Sequence, residues 1–503
     1  MSELSKRFRH LLVLDPAGTA IEFKSRSISW GSLAAIAEGV EKLLGSGRVP
    51  KGVWIAWVAR NDPAIVGALI GILMSERSVA PFDPHKPSAL LAEDVRAKRP
   101  AAVIACDQDW SKELQAAVRD IGAVGIRVDL TASPIVQPVQ DLEHARYVVP
   151  PASANEACIE RVTSGTTGTP KRIAVAADTL YRTLLNAVDT KSATADLQQL
   201  RVQASPTILL KPFAHAGGFW SLLMPLFHAR PIVLFERFEA NAWVDAVKRY
   251  KPRVAGLVPA MIKMVLDSDA SAEDLASLRA VRSATAPLDP AVQQEFEERF
   301  GVPILVDYGA SEFIGGLAGW SLRDHKAFAK LKRGSVGRPR ADVSIRITDP
   351  DTSAEHPPGS IGVLELKADR YGADWIRTTD LASLDEDGFL YIHGRSDEAI
   401  IRGGFKVLPE KVAEVVRLHP NVNEACVLGV HDDRLGAVPV AFVEPRAGSP
   451  VQAQELEEFL RERLPPYQIP VAFQFLERLP RTLSSKVARP ALRDLFASIY
   501  RFV

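Results

Sequence analysis

Between Ser29 and Val258 the chain repeats one pattern, and that pattern limits the fold more than any other feature. A short apolar run without polar alternation precedes or follows a segment whose apolar residues recur every three or four positions. Ser29 to Leu44 carries Leu33, Ile36, Val40, Leu43 and Leu44 behind a serine able to cap a helix. Val53 to Val58 is the unbroken run VWIAWV, and Ala64 to Met74 reads as a second helix. The alternation returns with AVIA at Ala102 to Ala105, PIVLF at Pro231 to Phe235, a helix over Asn241 to Lys251, and VAGLV at Val254 to Val258. Runs that are apolar on both faces suit strands covered by helices, so the expectation is an α/β fold with a largely parallel sheet.

Beyond Gly334 the texture changes. VSIRI, GVLEL and GFLYIHGR are shorter, more alternating runs separated by Pro357-Pro358-Gly359 and Asp387-Gly388, which predicts a small β-rich subdomain. After Arg395 the pattern predicts helices over Glu410 to Leu418 and Gln454 to Leu464, and strands over Glu424 to Val430 and Val438 to Val443. That is a compact α+β unit of about a hundred residues. The 503 residues exceed what one core holds. Residues 129–160 and 189–206 read as loop-rich.

Sixty-one basic residues balance sixty-one acidic ones, leaving no net field for a nucleic-acid backbone. Cys106, Cys158 and Cys426 are too scattered for a zinc site or a disulfide scaffold and read as reduced cytoplasmic thiols. The N-terminus lacks a signal-peptide core, and the longest apolar stretch, Ala64 to Met74, falls short of the roughly 20 residues that span a bilayer.

Four segments carry chemistry. The run Thr163-Ser164-Gly165-Thr166-Thr167-Gly168-Thr169-Pro170-Lys171 suits phosphate: glycines open the backbone N–H groups, hydroxyls donate, and a lysine brings a point charge. Its spacing is not that of a P-loop, and alone it is equally compatible with a surface loop. Asp307-Tyr308-Gly309-Ala310-Ser311-Glu312 follows an apolar strand, where open α/β sheets place ligands. Tyr308 can stack on a base and Glu312 can hold magnesium; a tight turn with a solvated carboxylate is the plainer alternative. Arg377-Thr378-Thr379-Asp380, Asp385 to His393 and Gly394-Arg395-Ser396-Asp397 combine an aspartate suited to ribose hydroxyls with an arginine suited to ribose or phosphate. Pro480 to Arg489 holds Lys486 on a turn of small residues.

In this order the four segments resemble the adenylate-forming superfamily of acyl- and aryl-CoA synthetases, peptide-synthetase adenylation domains and beetle luciferases, over nearly the whole chain. GSVGRPR at Gly334 to Arg340 resembles a further block. The resemblance implies a large N-terminal domain over 1–396, with two packed αβ subdomains and a β-rich one, and a mobile α+β lid over 397–503 that hinges at Asp397. It implies ATP, Mg²⁺ and coenzyme A as cofactors. Thr163, Ser164, Gly165, Thr166, Thr167, Gly168 and Lys171 would cradle phosphates. Ala284, Thr285, Ala286, Pro287, Asp307, Tyr308, Gly309, Ala310, Ser311, Asp380, Ile392 and Arg395 would surround the nucleotide. Glu312 would bind the metal, Lys486 would bridge the acid and the α-phosphate, and Gly403, Gly404 and Phe405 would admit coenzyme A.

Four positions depart from the family pattern: Ala284-Thr285 stands where many members have Gly-Gly, Thr379 where they have Gly, and Ser485 where they have Gly. Each adds a β-carbon where close approach is usual. The acyl pocket would be lined by Phe213, His215, Ala216, Gly217, Ala260, Met261, Phe313 and Ile314, with Ala310. This apolar wall suits a fatty, alicyclic or aromatic acid, and Lys211 to Gly218, which resembles the family's acyl-tunnel segment, lacks the aspartate that pairs an amino acid's ammonium. His215 either gates the pocket or is a hydrogen-bonded histidine at a seam. The expected partners are a small carboxylic acid, ATP and coenzyme A. A separate carrier protein as thiol acceptor and a homodimer are compatible with the sequence, and a degenerate nucleotide-binding module is the rival from another class.

Overall fold

The structure is a computed structural model describing residues 1–144, 157–162, 172–186, 200–309, 316–368, 374–403, 405–482 and 486–500. A seven-stranded sheet runs in the order Val136–Pro138, Val124–Val128, Ala102–Cys106, Trp54–Val58, Ser78–Phe82, Ala157–Val162, Arg172–Ala176. Its inner strands are parallel and its two edge strands antiparallel. Ala102–Cys106 is buried throughout, as an unbroken apolar run requires.

The helices are set by local chemistry. Ser29 caps Trp30–Ser46 by accepting from the Ser32 N–H at 3.1 Å. Asp62 accepts from the Ala64 N–H at 2.8 Å, Pro63 occupies the first turn, and every residue of Pro63–Met74 is buried. These two helices cross at Gly67 and Gly71. A β-carbon on Gly67 would stand 2.8 Å from Ile36, and one on Gly71 2.6 Å from the Ala37 carbonyl. Only glycine permits that approach.

The predicted elements form, but the parallel strands divide among sheets instead of sharing one. Ile232–Leu234 joins Thr207–Leu209, Thr19–Phe23 and Arg26–Ser29, whereas Val254–Leu257 begins a five-stranded sheet with Ala280–Ser283, Ile304–Tyr308, Ala318–Gly319 and Arg338–Pro339. Local periodicity reports burial and not strand partners. Ala157–Val162 is a correction to the loop expected over 129–160, because it pairs with Ser78–Phe82 and Arg172–Ala176. Glu3–Val13 is a further helix, capped by Ser2.

The β-rich region is an antiparallel sheet of Val343–Thr348, Gly362–Ala368, Ile376–Leu384 and Leu390–Arg395. After residue 400, Phe405–Val407, Ile400–Arg402, Gly436–Pro445, Val422–Asp432 and Ala472–Phe475 form a last sheet. Its core includes Val412, Val427, Ala441 and Leu456, all from this small lobe. Lys263, on Pro259–Leu266, donates to the Asn423 carbonyl at 2.9 Å and lies 3.5 Å from Glu424, tying body to lobe. All three cysteines are free and buried. No helix among the described residues is long and apolar enough to cross a membrane.

Candidate active site

A cleft of about 3020 Å³ lies where the carboxyl ends of Val254–Leu257, Ala280–Ser283 and Ile304–Tyr308 meet the β-rich sheet and the small lobe, the position that open α/β sheets reserve for ligands. Asp307 and Tyr308 are the last strand residues, paired with Gly319 and Ala318, not members of a free loop. The Tyr308 hydroxyl donates to Asp380. Asp380 stands opposite Arg395 in the antiparallel register. Arg395 forks onto Asp397 at 2.9 and 2.8 Å, and that hydrogen-bonded carboxylate raises the guanidinium pKa above its ordinary value. Tyr308, Gly309, Asp380, Ile392, Arg395 and Asp397 therefore line one wall.

Asp307 is already engaged. Arg282 reaches both of its oxygens at 2.9 and 2.8 Å, and Arg340 reaches Oδ1 at 2.5 Å. A β-carbon on Gly319 would fall 2.2 Å from Asp307 Oδ1, so the facing strand needs glycine there.

Ala284, Thr285, Ala286 and Pro287 form the next stretch of wall. Thr285 has φ +79°, a left-handed backbone that strains a β-branched residue. Its Oγ1 is buried with no hydrogen-bond partner among the described residues. Its methyl lies 3.0 Å from where a β-carbon on Gly217 would be.

Of the expected acyl residues, His215, Ala216, Gly217, Ala260 and Met261 line the cleft. Phe213 does not: it is fully buried and stacks on Trp57 with centroids 6.3 Å apart. Asn61 explains this geometry. Its amide donates to the Lys211 and Phe235 carbonyls at 3.2 and 3.1 Å and accepts from the Phe213 N–H at 3.0 Å. Gly218 follows, where a β-carbon would stand 1.9 Å from the Pro212 carbonyl. Burial lowers the His215 pKa; Asp83 opposes this and the Lys486 charge adds to it.

Lys486 reaches the same cleft from the small lobe. The residue is exposed, yet the protein around its ammonium lowers its pKa, and the Arg395 charge lowers it further. Gly403, at φ +55°, and Phe405, exposed and stacked on Tyr467, lie away from the cleft lining. Thr163, Ser164, Gly165, Thr166, Thr167, Gly168, Lys171, Ala310, Ser311, Glu312, Phe313, Ile314 and Gly404 lie outside the described residues. Among the described residues, no three His, Cys, Asp or Glu side chains gather to hold a metal.

Asn61 and Arg282 belong to no motif, whereas Arg340 closes the GSVGRPR block and Lys211 opens the segment that runs to Gly218, with no role expected of either from the sequence. Lys211 also leaves a signal in the sequence as a lone charge inside the apolar run ILLKPF.

A two-lobed α/β protein whose lobes share one large cleft at the carboxyl ends of its strands is the class that this geometry defines. Residues 13–369 match the family described as AMP-binding enzyme, and residues 411–486 match the AMP-binding enzyme C-terminal domain. The chain belongs to these adenylate-forming enzymes, in their acyl-CoA synthetase branch. It is 27% identical to indoleacetate-CoA ligase of Aromatoleum aromaticum, over 98% of each chain. It is 32% identical to 2-succinylbenzoate-CoA ligase of Bacillus licheniformis, over 66% of this chain and 68% of that one. ATP-bound MatB from Rhodopseudomonas palustris shares the fold, with a TM-score of 0.81 at 23% identity over 99% of this chain and 100% of that one.

Proposed function

We infer that the protein is an ATP-dependent ligase that joins a carboxylic acid to AMP and then passes the acyl group to the thiol of coenzyme A. The observation that carries this reading is Lys486, brought by the small lobe into the cleft lined by Tyr308, Asp380 and Arg395. The relatives' activities on indoleacetate and 2-succinylbenzoate support it.

In the proposed division of labour, Tyr308 lies against adenine, Asp380 accepts from the ribose hydroxyls, and Arg395 contacts ribose or phosphate. Lys486 lies between the incoming carboxylate and the α-phosphate. Two anions must meet there, and a fixed ammonium in a partly dehydrated cleft offsets their repulsion more strongly than water does. Mg²⁺, when bound, neutralises phosphate charge, and Glu312 would hold it. A magnesium ion at such a site takes most of its ligands from phosphate oxygens and water, so one carboxylate is enough to hold it.

Residues 1–396 would form the body and 397–503 the lid, with Asp397 as the pivot. A lysine parked over the mixed anhydride would obstruct a thiol, so the lid must turn, bringing Gly403, Gly404 and Phe405 toward the cleft for the second half-reaction. The thiol acceptor is coenzyme A, not a carrier-borne pantetheine, and the enzyme works in the cytoplasm. The test is pyrophosphate release from ATP and Mg²⁺ across a panel of carboxylic acids, with and without coenzyme A. Acid-dependent release with acyl-CoA formation is expected. Silence across the panel refutes the ligase reading, and release without acyl-CoA points to a carrier-borne thiol.

A further inference from the structure

Lys211 lines the cleft beside the acyl segment, and among the described residues its ammonium has no hydrogen-bond or ion-pair partner. It lies 3.9 Å from the point where a side chain on Gly256 would begin, against strand Val254–Leu257. The backbone behind it is fixed, because Asn61 binds the Lys211 carbonyl. The residue is half-buried and is one of those that line the cavity. Burial lowers its pKa, and the charge of Asp307 offsets this in part. Asp307 is a poor partner, however: both of its oxygens already accept from Arg282, and one also from Arg340. Among the described residues three cations thus share the one carboxylate of Asp307, which leaves an excess of positive charge around it. An unpaired ammonium held out of water is costly unless an anion joins it.

We propose that Lys211 is a specificity-determining residue that receives a second anionic group, carried by the substrate acid at the end remote from the activated carboxylate. This rests on the ligase reading above and narrows it, from an apolar acid to one bearing a distal carboxylate or sulfonate. The hydrocarbon between the two ends packs on Ala260 and Met261, and the distal anion completes the cation cluster around Asp307.

The test uses the full chain, with pyrophosphate release measured for dicarboxylic acids from malonic to suberic, the corresponding sulfo-acids, and the monomethyl ester of each diacid. For wild type, the best diacid or sulfo-acid should exceed its ester in kcat/KM by roughly 10- to 100-fold, the worth of a buried hydrogen bond to a charged group. Lys211→Met should erase that ratio mainly through KM, leave the KM for ATP unchanged, and keep turnover of the esters. Lys211→Arg should restore part of the preference. A wild-type enzyme that uses esters as well as diacids overturns the inference while leaving the ligase reading intact. A Lys211→Met variant that loses all acids equally also overturns it, by assigning the lysine a structural role. Wild-type silence toward every acid removes both.

Discussion

At the nucleotide end of the cleft Tyr308 donates to Asp380 and Arg395 forks onto Asp397, whereas at the acyl end Lys211 and His215 Nε2, with Thr285 Oγ1 on the adjoining wall beside Gly217, have no partners among the described residues. The first group is finished before any ligand arrives, and the second waits for one. That division has a physical reason. Every turnover brings the same nucleotide, so a prepaid polar network costs nothing in generality and removes reorganisation from the reaction. The acid is what distinguishes one such enzyme from another, and polar groups left incomplete reject any acid that fails to complete them.

The largest effect should come from removing the group that joins the two ends. Lys486→Ala is expected to lower acid-dependent pyrophosphate release by about 100- to 1000-fold. Thioester formation from supplied acyl-AMP should change only a few-fold, measured as acyl-CoA by chromatography. Equal loss of both half-reactions would mean that Lys486 shapes the cleft instead of serving adenylation.

The nucleotide end has one flaw, and it sharpens the contrast. His393 is hydrogen-bonded to Ser383 at 2.8 Å, but its Nδ1 has no partner among the described residues. Burial, helped by Lys411, pushes its pKa down to about 4. Between the unfolded value near 6.5 and that figure the unfolded chain binds the extra proton, so stability falls as pH drops through this window. Melting temperature should therefore decline on acidification from about pH 6.5 to about pH 4. His393→Gln should flatten that decline by a few degrees; an unchanged slope would remove His393 from the acid response.

The smallest effect concerns Thr285, where the nucleotide wall meets Gly217 of the acyl segment. Thr285 has a left-handed backbone that glycine adopts freely. Thr285→Gly should stabilise the protein by about 1 kcal/mol after glycine's own entropy cost, raising the melting temperature by about 2 °C in thermal unfolding. A lower melting temperature would show that the threonine's packing against Gly217 outweighs its strain.

Much of this was legible in the chain itself, and the exceptions have a common cause. Capped, periodic helices such as Trp30–Ser46 and Pro63–Met74 are local events, and their boundaries follow from Ser29, Asp62 and Pro63. The division of parallel strands among separate sheets is not local, and no run of residues encodes it. The same holds at the site. Tyr308, Asp380, Arg395 and Lys486 sit in motifs that the family resemblance exposes, and they converge on one cleft. Phe213 was misplaced because its neighbours His215, Ala216 and Gly217 do line that cleft, while Asn61 turns the chain so that Phe213 faces Trp57. Lys211 left only an oddly placed charge, whose meaning depends on Gly256 and Asp307, residues about 45 and 96 positions further along.

An acyl-adenylate modifies whatever thiolate it encounters, including those of the protein that made it. Here the thiols of Cys158 and Cys426 are pushed by burial up to about 12 and about 11, and that of Cys106 higher still. At neutral pH all three remain protonated and shielded. Its own cysteines are thus insulated from acylation, and no thiol of the chain competes with the one the intermediate is meant to serve.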